Sequence, residues 1–180
     1  MRLELDAERE LRPITEADLD ELWALVAANR DHLARWMPWA VEPQREETTA
    51  FVRDSVRQAA RNDGFHAAIR ECGAIVGVVG FHHVNRRDLQ TSLGYWLAAD
   101  AQGRGTMTMA VGALVDHALR RWLLHRVEIR AAVGNTRSRA IPERLGFVEE
   151  GVLRDAERFG DRYVDLVVYS MLAPDWRVSR

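Results

Sequence analysis

One stretch constrains this chain more than any other. The alternating segment Ser92–Ala98 leads into the glycine-bearing loop Asp100–Gly105, then into a helical stripe, then into a second alternating segment. In the stripe, Met107, Val111, Leu114, Val115, Ala118, Leu119 and Trp122 recur at the spacing of one helix face. After it, Val127, Ile129, Ala131 and Val133 alternate with Glu128 and Arg130, the period of a strand. Strand, helix and strand in this order predict a right-handed parallel crossover. The fold must therefore contain a sheet with a parallel pair and a helix packed on it.

The flanking segments extend that sheet. Residues 2–12 suit a first strand ending at Arg12-Pro13, and Thr15 with Asp18 reads as a helix cap. Leu19, Leu22, Trp23 and Val26 make one apolar helix face, and a second helical piece covers Asp31–Trp36 until Trp36-Met37-Pro38-Trp39 breaks it. Residues 45–62 read as a helix stopped by Asn62-Asp63-Gly64. Phe65–Arg70 and Ile75–His82 are strands joined by a tight turn, Glu71-Cys72-Gly73. Asn135–Leu145 is a short helix stopped by Gly146, and Phe147–Leu153 and Tyr163–Leu172 are strands suited to a closing pair. The expected fold class is α/β (α+β): a mixed central sheet with helices on both faces. The 180 residues fit one domain over positions 1–180.

Charge and composition narrow the function. The 25 basic and 27 acidic side chains leave a net charge of −2, which argues against a dedicated nucleic-acid binder. No apolar run approaches a membrane span, and the start of the chain lacks the apolar core of a signal peptide. The single cysteine, Cys72, cannot form an internal disulfide, so a reducing, cytoplasmic setting is expected. His82 and His83 are adjacent on a strand and face opposite sides, and no His, Cys and carboxylate spacing suggests zinc, so no metal is expected. There is no Gly-x-Ser-x-Gly nucleophile motif.

Two blocks carry the chemistry. The first is Gln102-Gly103-Arg104-Gly105-Thr106-Met107, between a strand and an amphipathic helix. Unpaired N–H groups at a helix start, reached across glycines that carry no Cβ, make an anion seat. By spacing alone a plain strand-to-helix turn serves equally well, and the loop is neither the dinucleotide fingerprint nor a P-loop. The second block, Asn135-Thr136-Arg137-Ser138 through Gly146-Phe147, opens at the end of the next strand. Together the blocks resemble the Gcn5-related N-acetyltransferase (GNAT) superfamily: the first its Gln/Arg-x-x-Gly-x-Gly/Ala loop, with Met107 in place of the usual small residue, and the second its Asn-x-x-Ser/Ala…Gly-Phe segment. With Leu93–Leu97 and the run Gly151–Asp165, the chain resembles the RimJ/RimL type, which acts on serine or alanine of ribosomal proteins.

The resemblance implies a sheet splayed beside Ser92–Ala98, with the pantetheine arm of acetyl-CoA paired to backbone near Trp96 and Leu97. It implies that Gln102, Gly103, Arg104, Gly105, Thr106 and Met107 hold the pyrophosphate, and that Asn135 and Ser138 belong to the CoA pocket. Ser138 would reach the sulfur, and Glu157 would be the general base. The tyrosine acid of many relatives is replaced here by Pro142, which closes that route. Read as residues alone, Ser138 serves as well as a helix-start residue, Asn135 as a turn residue, Glu157 as a solvated strand-end carboxylate, and Arg104, Arg137 and Arg139 as surface arginines. Trp36 and Trp39 either plug the core or roof the acceptor cleft. The implied reaction is direct attack of an amine on acetyl-CoA in a ternary complex. The expected acceptor is a protein N-terminal α-amine, with a small-molecule amine (polyamine, amino acid or antibiotic) or a non-catalytic acyl-CoA-binding domain as alternatives. A homo-oligomer is compatible with the sequence.

Overall fold

The computed structural model describes residues 2–177. The expected first strand is instead a small hairpin, β1 (Leu3–Glu4) and β2 (Arg9–Pro13), paired antiparallel. Asp6 causes the difference. Its Oδ1 accepts the amides of Glu8 at 3.0 Å and Arg9 at 2.8 Å, closing a turn that alternation alone does not reveal. Thr15 and Asp18 cap the next segment as expected, the Thr15 amide donating to Asp18 Oδ2 at 2.8 Å. Then follow α1 (Leu19–Ala28), α2 (Arg30–Leu33) and α3 (Arg45–Ala60).

Strands β3 (His66–Glu71), β4 (Ala74–Asn85) and β5 (Gln90–Leu97) come next, then α4 (Thr106–Asp116), β6 (Arg126–Ala132), α5 (Thr136–Arg144), β7 (Val148–Phe159) and β8 (Arg162–Leu172). The helical stripe that runs to Trp122 in the sequence widens after Asp116 into a π turn over His117–Arg121. That turn lays Trp122 against Phe81, ring centroids 4.6 Å apart, so an aromatic contact accompanies the change of pitch.

The sheet order is β1-β2-β3-β4-β5-β6-β8-β7, and β5–β6 is the parallel pair, joined through α4. Alternation along the strands feeds two cores. Ala68, Ile75 and Val78 pack with Leu22 of α1 and Val52 of α3 on one face. Ile69, Val79, Phe81 and Ile129 pack with Val111, Leu114 and Val115 of α4 on the other. The mixed sheet with helices on both faces is as expected.

The site depends on one interruption of this ladder. β5 stays paired with β4 as far as Leu97, opposite Gly77. Its pairing with β6 runs from Gln90↔Arg126 to Leu93↔Ile129 and stops. β6 continues on β8 to Ala132↔Leu166. Beyond Leu93 the two strands part, each held on its outer side.

His66 lies on the α1/α3 face of the sheet, across from Gly80. A methyl group on Gly80 would sit 2.7 Å from His66 Cα, so the glycine makes room for the residue. Phe51 packs edge-on against the ring at 5.0 Å, and Nδ1 is buried without a partner among the described residues. Burial, with His82 nearby, pushes the His66 pKa down from 6.5 to about 4. The unfolded chain therefore takes up this proton first, and stability falls as pH drops from 6.5 towards 4. Across that window the His66 contribution is up to about 3 kcal/mol. Denaturant titrations at stepped pH should show this slope, and His66→Phe, which keeps a ring beside Phe51 but cannot titrate, should flatten it.

Candidate functional site

A cleft of about 800 Å³ opens where β5 and β6 part. Six of the residues singled out in the sequence line it: Trp36, Trp39, Trp96, Asn135, Ser138 and Glu157. The loop Gln102–Met107 and Leu97 do not line this space and lie at its β5 end.

Glu157 lies within β7, two residues before its end, and the alternative of a solvated strand-end carboxylate does not describe it. The β7–β8 register shifts between Leu153↔Leu166 and Glu157↔Val164, so β7 carries extra residues there. Asp155, in this bulge, has φ +49, and its amide donates to Asp165 Oδ1 at 2.8 Å. Glu157 is half-buried, and burial raises its carboxyl pKa above the ordinary 4.5. A desolvated carboxylate of this kind binds a proton more readily than one in water.

Asn135 and Ser138 are brought together by the start of α5. Asn135 is the N-cap, its side-chain oxygen accepting the Ser138 amide at 3.1 Å. The turn-holding role and the cleft position therefore coexist. Ser138 Oγ donates to Tyr95 Oη at 3.3 Å, and Tyr95 Oη donates to the Ser138 carbonyl at 3.1 Å. Burial pushes the Tyr95 pKa up to about 12, so the phenol keeps its proton through the neutral range.

In the glycine loop, Gly103 has φ +80 and Gly105 φ +75, and open space lies where either Cβ would be. Gly105 is the N-cap of α4. The amides of Gly103, Arg104 and Gly105 donate to no backbone carbonyl among the described residues. The side chains, by contrast, are engaged elsewhere. Gln102 bonds His32 Nε2 and accepts from Arg137, each at 2.9 Å. Arg104 donates to Glu71 at 2.7 Å, and Arg9 donates to the hydroxyl of buried Thr106 at 2.9 Å. Met107 and Leu97 are buried in the α4 core. Arg139 donates to Tyr169 Oη at 2.9 Å. The loop thus presents backbone while its side chains fix its shape.

Trp36 and Trp39 do not plug the core; they are 38% and 42% exposed. Trp36 reaches over Gly134, just beyond β6, and Trp39 packs on Trp96 of β5 with centroids 6.1 Å apart. The segment between α2 and α3 therefore roofs the gap from both sides.

Sequence reasoning missed Tyr95, His66 and Arg130, weighed His82 only as a metal ligand, and could not place the Glu46-Glu47 pair, of which Glu47 lines the cleft with the others. Isolated glycines inside strands, Gly80 and Gly94, were the available signal, since such glycines mark a close approach by another group. Among the described residues no group of three or more His, Cys, Asp or Glu is placed to hold a metal ion, and no helix is long and apolar enough to cross a membrane.

The site is thus a sheet parted beside a glycine loop at a helix start, with a roofed cleft through the gap. The chain belongs to the GNAT acetyltransferase family: the acetyltransferase (GNAT) domain model matches residues 9–148. It is similar to YdaF of Bacillus subtilis (strain 168), 34% identical over 168 residues, with 92% of each chain covered. It is similar in structure to RimL, the ribosomal L7/L12 alpha-N-protein acetyltransferase in complex with coenzyme A, with TM-score 0.90, 27% identity and 96% and 98% of the two chains covered. It is also similar to the microcin C7 self-immunity acetyltransferase MccE in complex with acetyl-CoA and AMP, with TM-score 0.88, 27% identity and coverage of 93% and 94%. The protein is an acetyl-CoA-dependent N-acetyltransferase.

Proposed function

We propose that this enzyme acetylates the N-terminal α-amine of a protein, a ribosomal protein in particular, in the cytoplasm and by direct attack in a ternary complex. The observation that carries the reading is the placement of Glu157 and Ser138 on one cleft, beside a strand edge that β6 has abandoned. The similarity to RimL, whose name gives the same acceptor class, supports it.

The residues suit acetyl-CoA as co-substrate. The inner edge of Gly94–Leu97, including Trp96 and Leu97, offers backbone groups to the pantetheine amides, as an added strand would. Open space lies beside Gly103 and Gly105 at the start of α4, and there the loop backbone receives the pyrophosphate. Gln102 and Arg104 act by fixing that loop. In the reaction the amine nitrogen bonds to the thioester carbon and the C–S bond breaks. Glu157 takes a proton from the amine, and Ser138, coupled to Tyr95, hydrogen-bonds to the departing sulfur. Trp36 and Trp39 wall the space for the first side chain of the acceptor.

Substitution in the loop tests the co-substrate seat. An L-residue at φ +75 costs about 1–3 kcal/mol, with asparagine tolerated best. Gly105→Asn should weaken acetyl-CoA binding about tenfold or more by calorimetry, with a small loss of melting temperature. Gly105→Val should lose both. Unchanged affinity in Gly105→Asn would remove the loop from the site.

The base is tested by pH. Glu157→Gln should lower turnover about 10²–10⁴-fold at neutral pH, with a smaller loss where the amine is already neutral. In the parent enzyme activity should fall as pH drops through a carboxylate pKa above 4.5. Full activity of Glu157→Gln at neutral pH would refute the assignment.

The acceptor is tested with two peptides of one sequence, one with a free N-terminus and blocked lysine, the other reversed. An α-amine has pKa of about 7.7–8.0 and lysine about 10.4, so one carboxylate deprotonates the former far more readily. Preferential acetylation of the free N-terminus is expected. A second reading, a small-molecule amine acceptor, is favoured by the exposed tryptophan pair and by the similarity to MccE. Failure on both peptides with turnover of spermidine or an aminoglycoside would establish it.

A further inference from the structure

Acetylation of an ammonium group removes two protons from nitrogen, and Glu157 can hold only one at a time. His82 lines the same cleft as Glu157. Gly94 is the first β5 residue beyond the last β5–β6 pair, Leu93↔Ile129, and it faces Gly80 across the β4–β5 ladder. His82, two residues along β4 from Gly80, covers Gly94: a methyl group there would sit 2.5 Å from His82 Nε2. The imidazole is thus at the fork where the sheet opens, on the wall of the cleft that holds Glu157. Its other nitrogen, Nδ1, lies 3.0 Å from Ser92 Oγ, on the neighbouring strand. With Nδ1–H donated to Ser92, the ring is fixed and the Nε2 lone pair is free.

We propose that His82 is a second catalytic base, whose Nε2 takes the proton that Glu157 does not. This rests on the α-amine reading of the cleft. The ammonium first gives a proton to the Glu157 carboxylate. The neutral nitrogen attacks the thioester carbon. The N–H of the adduct then passes its proton to His82 Nε2 as the C–S bond breaks, leaving amide, thiolate and imidazolium. The imidazolium returns its proton to the thiolate, and Glu157 releases its own to water.

The surroundings fit a base that is neutral at rest. His66 on β3, Tyr95 on β5, Arg130 on β6, Glu157 on β7 and Glu47 on α3 are the other titratable and charged side chains lining the same cleft. Burial, then the Arg130 charge, holds the His82 pKa below 6.5. The ring therefore starts unprotonated at physiological pH and gives up a proton readily once it has accepted one.

The test is His82→Gln, which can still hydrogen-bond to Ser92 but cannot titrate, with His82→Asn as the second variant. Turnover of a free-N-terminus peptide is followed against pH at saturating substrates, alongside acetyl-CoA affinity by calorimetry and circular dichroism. Expected are a kcat about tenfold or more lower, acetyl-CoA affinity close to that of the parent, and an acid limb of kcat whose slope drops by one proton. A kcat within about twofold of the parent, or a lowered kcat with the acid limb unchanged, would overturn the proposal. If the parent enzyme is inert on the peptide but acetylates a small amine, the α-amine reading fails on its own. The same comparison is then run on that amine, because any ammonium acceptor must lose two protons.

Discussion

The divergence of β5 and β6 is the constraint on which the rest of the site depends. Each strand keeps a full ladder on its outer side, β5 with β4 and β6 with β8, so the sheet opens without unravelling. The side chains at the opening hold it apart. Gly94 contributes none, Tyr95 reaches one way to Ser138 of α5, and Trp96 reaches the other way to Trp39. Opposite faces of one short strand are thereby tied to a helix and to a loop that lie on either side of the gap. An open strand edge is costly if nothing pairs with it. A linear co-substrate rich in amides satisfies it, and a rounded ligand would not.

The glycine loop follows the same logic of fixing side chains and freeing backbone. Its partners come from distant parts of the chain: Arg9 from β2, His32 from α2, Glu71 from β3 and Arg137 from α5. Exposed ion pairs such as Arg104–Glu71 contribute roughly 0–1 kcal/mol each. Their use here is geometric. A loop with two left-handed glycines is cheap to deform, and four outside anchors set the direction of its amides before a ligand arrives.

Much of the fold was legible because it is written in periodicity. The change from helical to strand spacing located α4, β6 and α5, and the two blocks around Gly105 and Ser138 marked both ends of the gap. What escaped was decided by single contacts. Asp6 turned one expected strand into a hairpin through two local hydrogen bonds, which no alternation pattern encodes. The bulge that carries Glu157 into the cleft comes from the register of β7 on β8, a tertiary property. Tyr95, His66 and His82 were hidden because strand residues declare only which face they occupy, and which groups meet there depends on the neighbouring strands. For Trp36 and Trp39 the sequence left core and roof equally open, and the short turn Pro38–Ala40 after α2 leaves both rings outside the core.

The electrostatics of the cleft bear on how an amine is received. Arg130 faces the same space as His82, and an uncompensated guanidinium there would repel an ammonium substrate. It is compensated along β6. Arg130 bonds Glu128 at 2.6 Å, Glu128 also accepts from Arg126 at 3.0 Å, and Arg126 holds both oxygens of Glu150 at 2.6 Å. Ser170 donates to Glu150 as well, and together with Arg126 it holds that carboxyl pKa at about 2, so Glu150 stays ionised through the working range. The alternation of sign leaves Arg130 with little net field at a distance while its local charge still disfavours protonation of His82. A neutral imidazole and a desolvated carboxylate thus share a cleft with a cation, and the amine meets proton acceptors without meeting a repulsive wall.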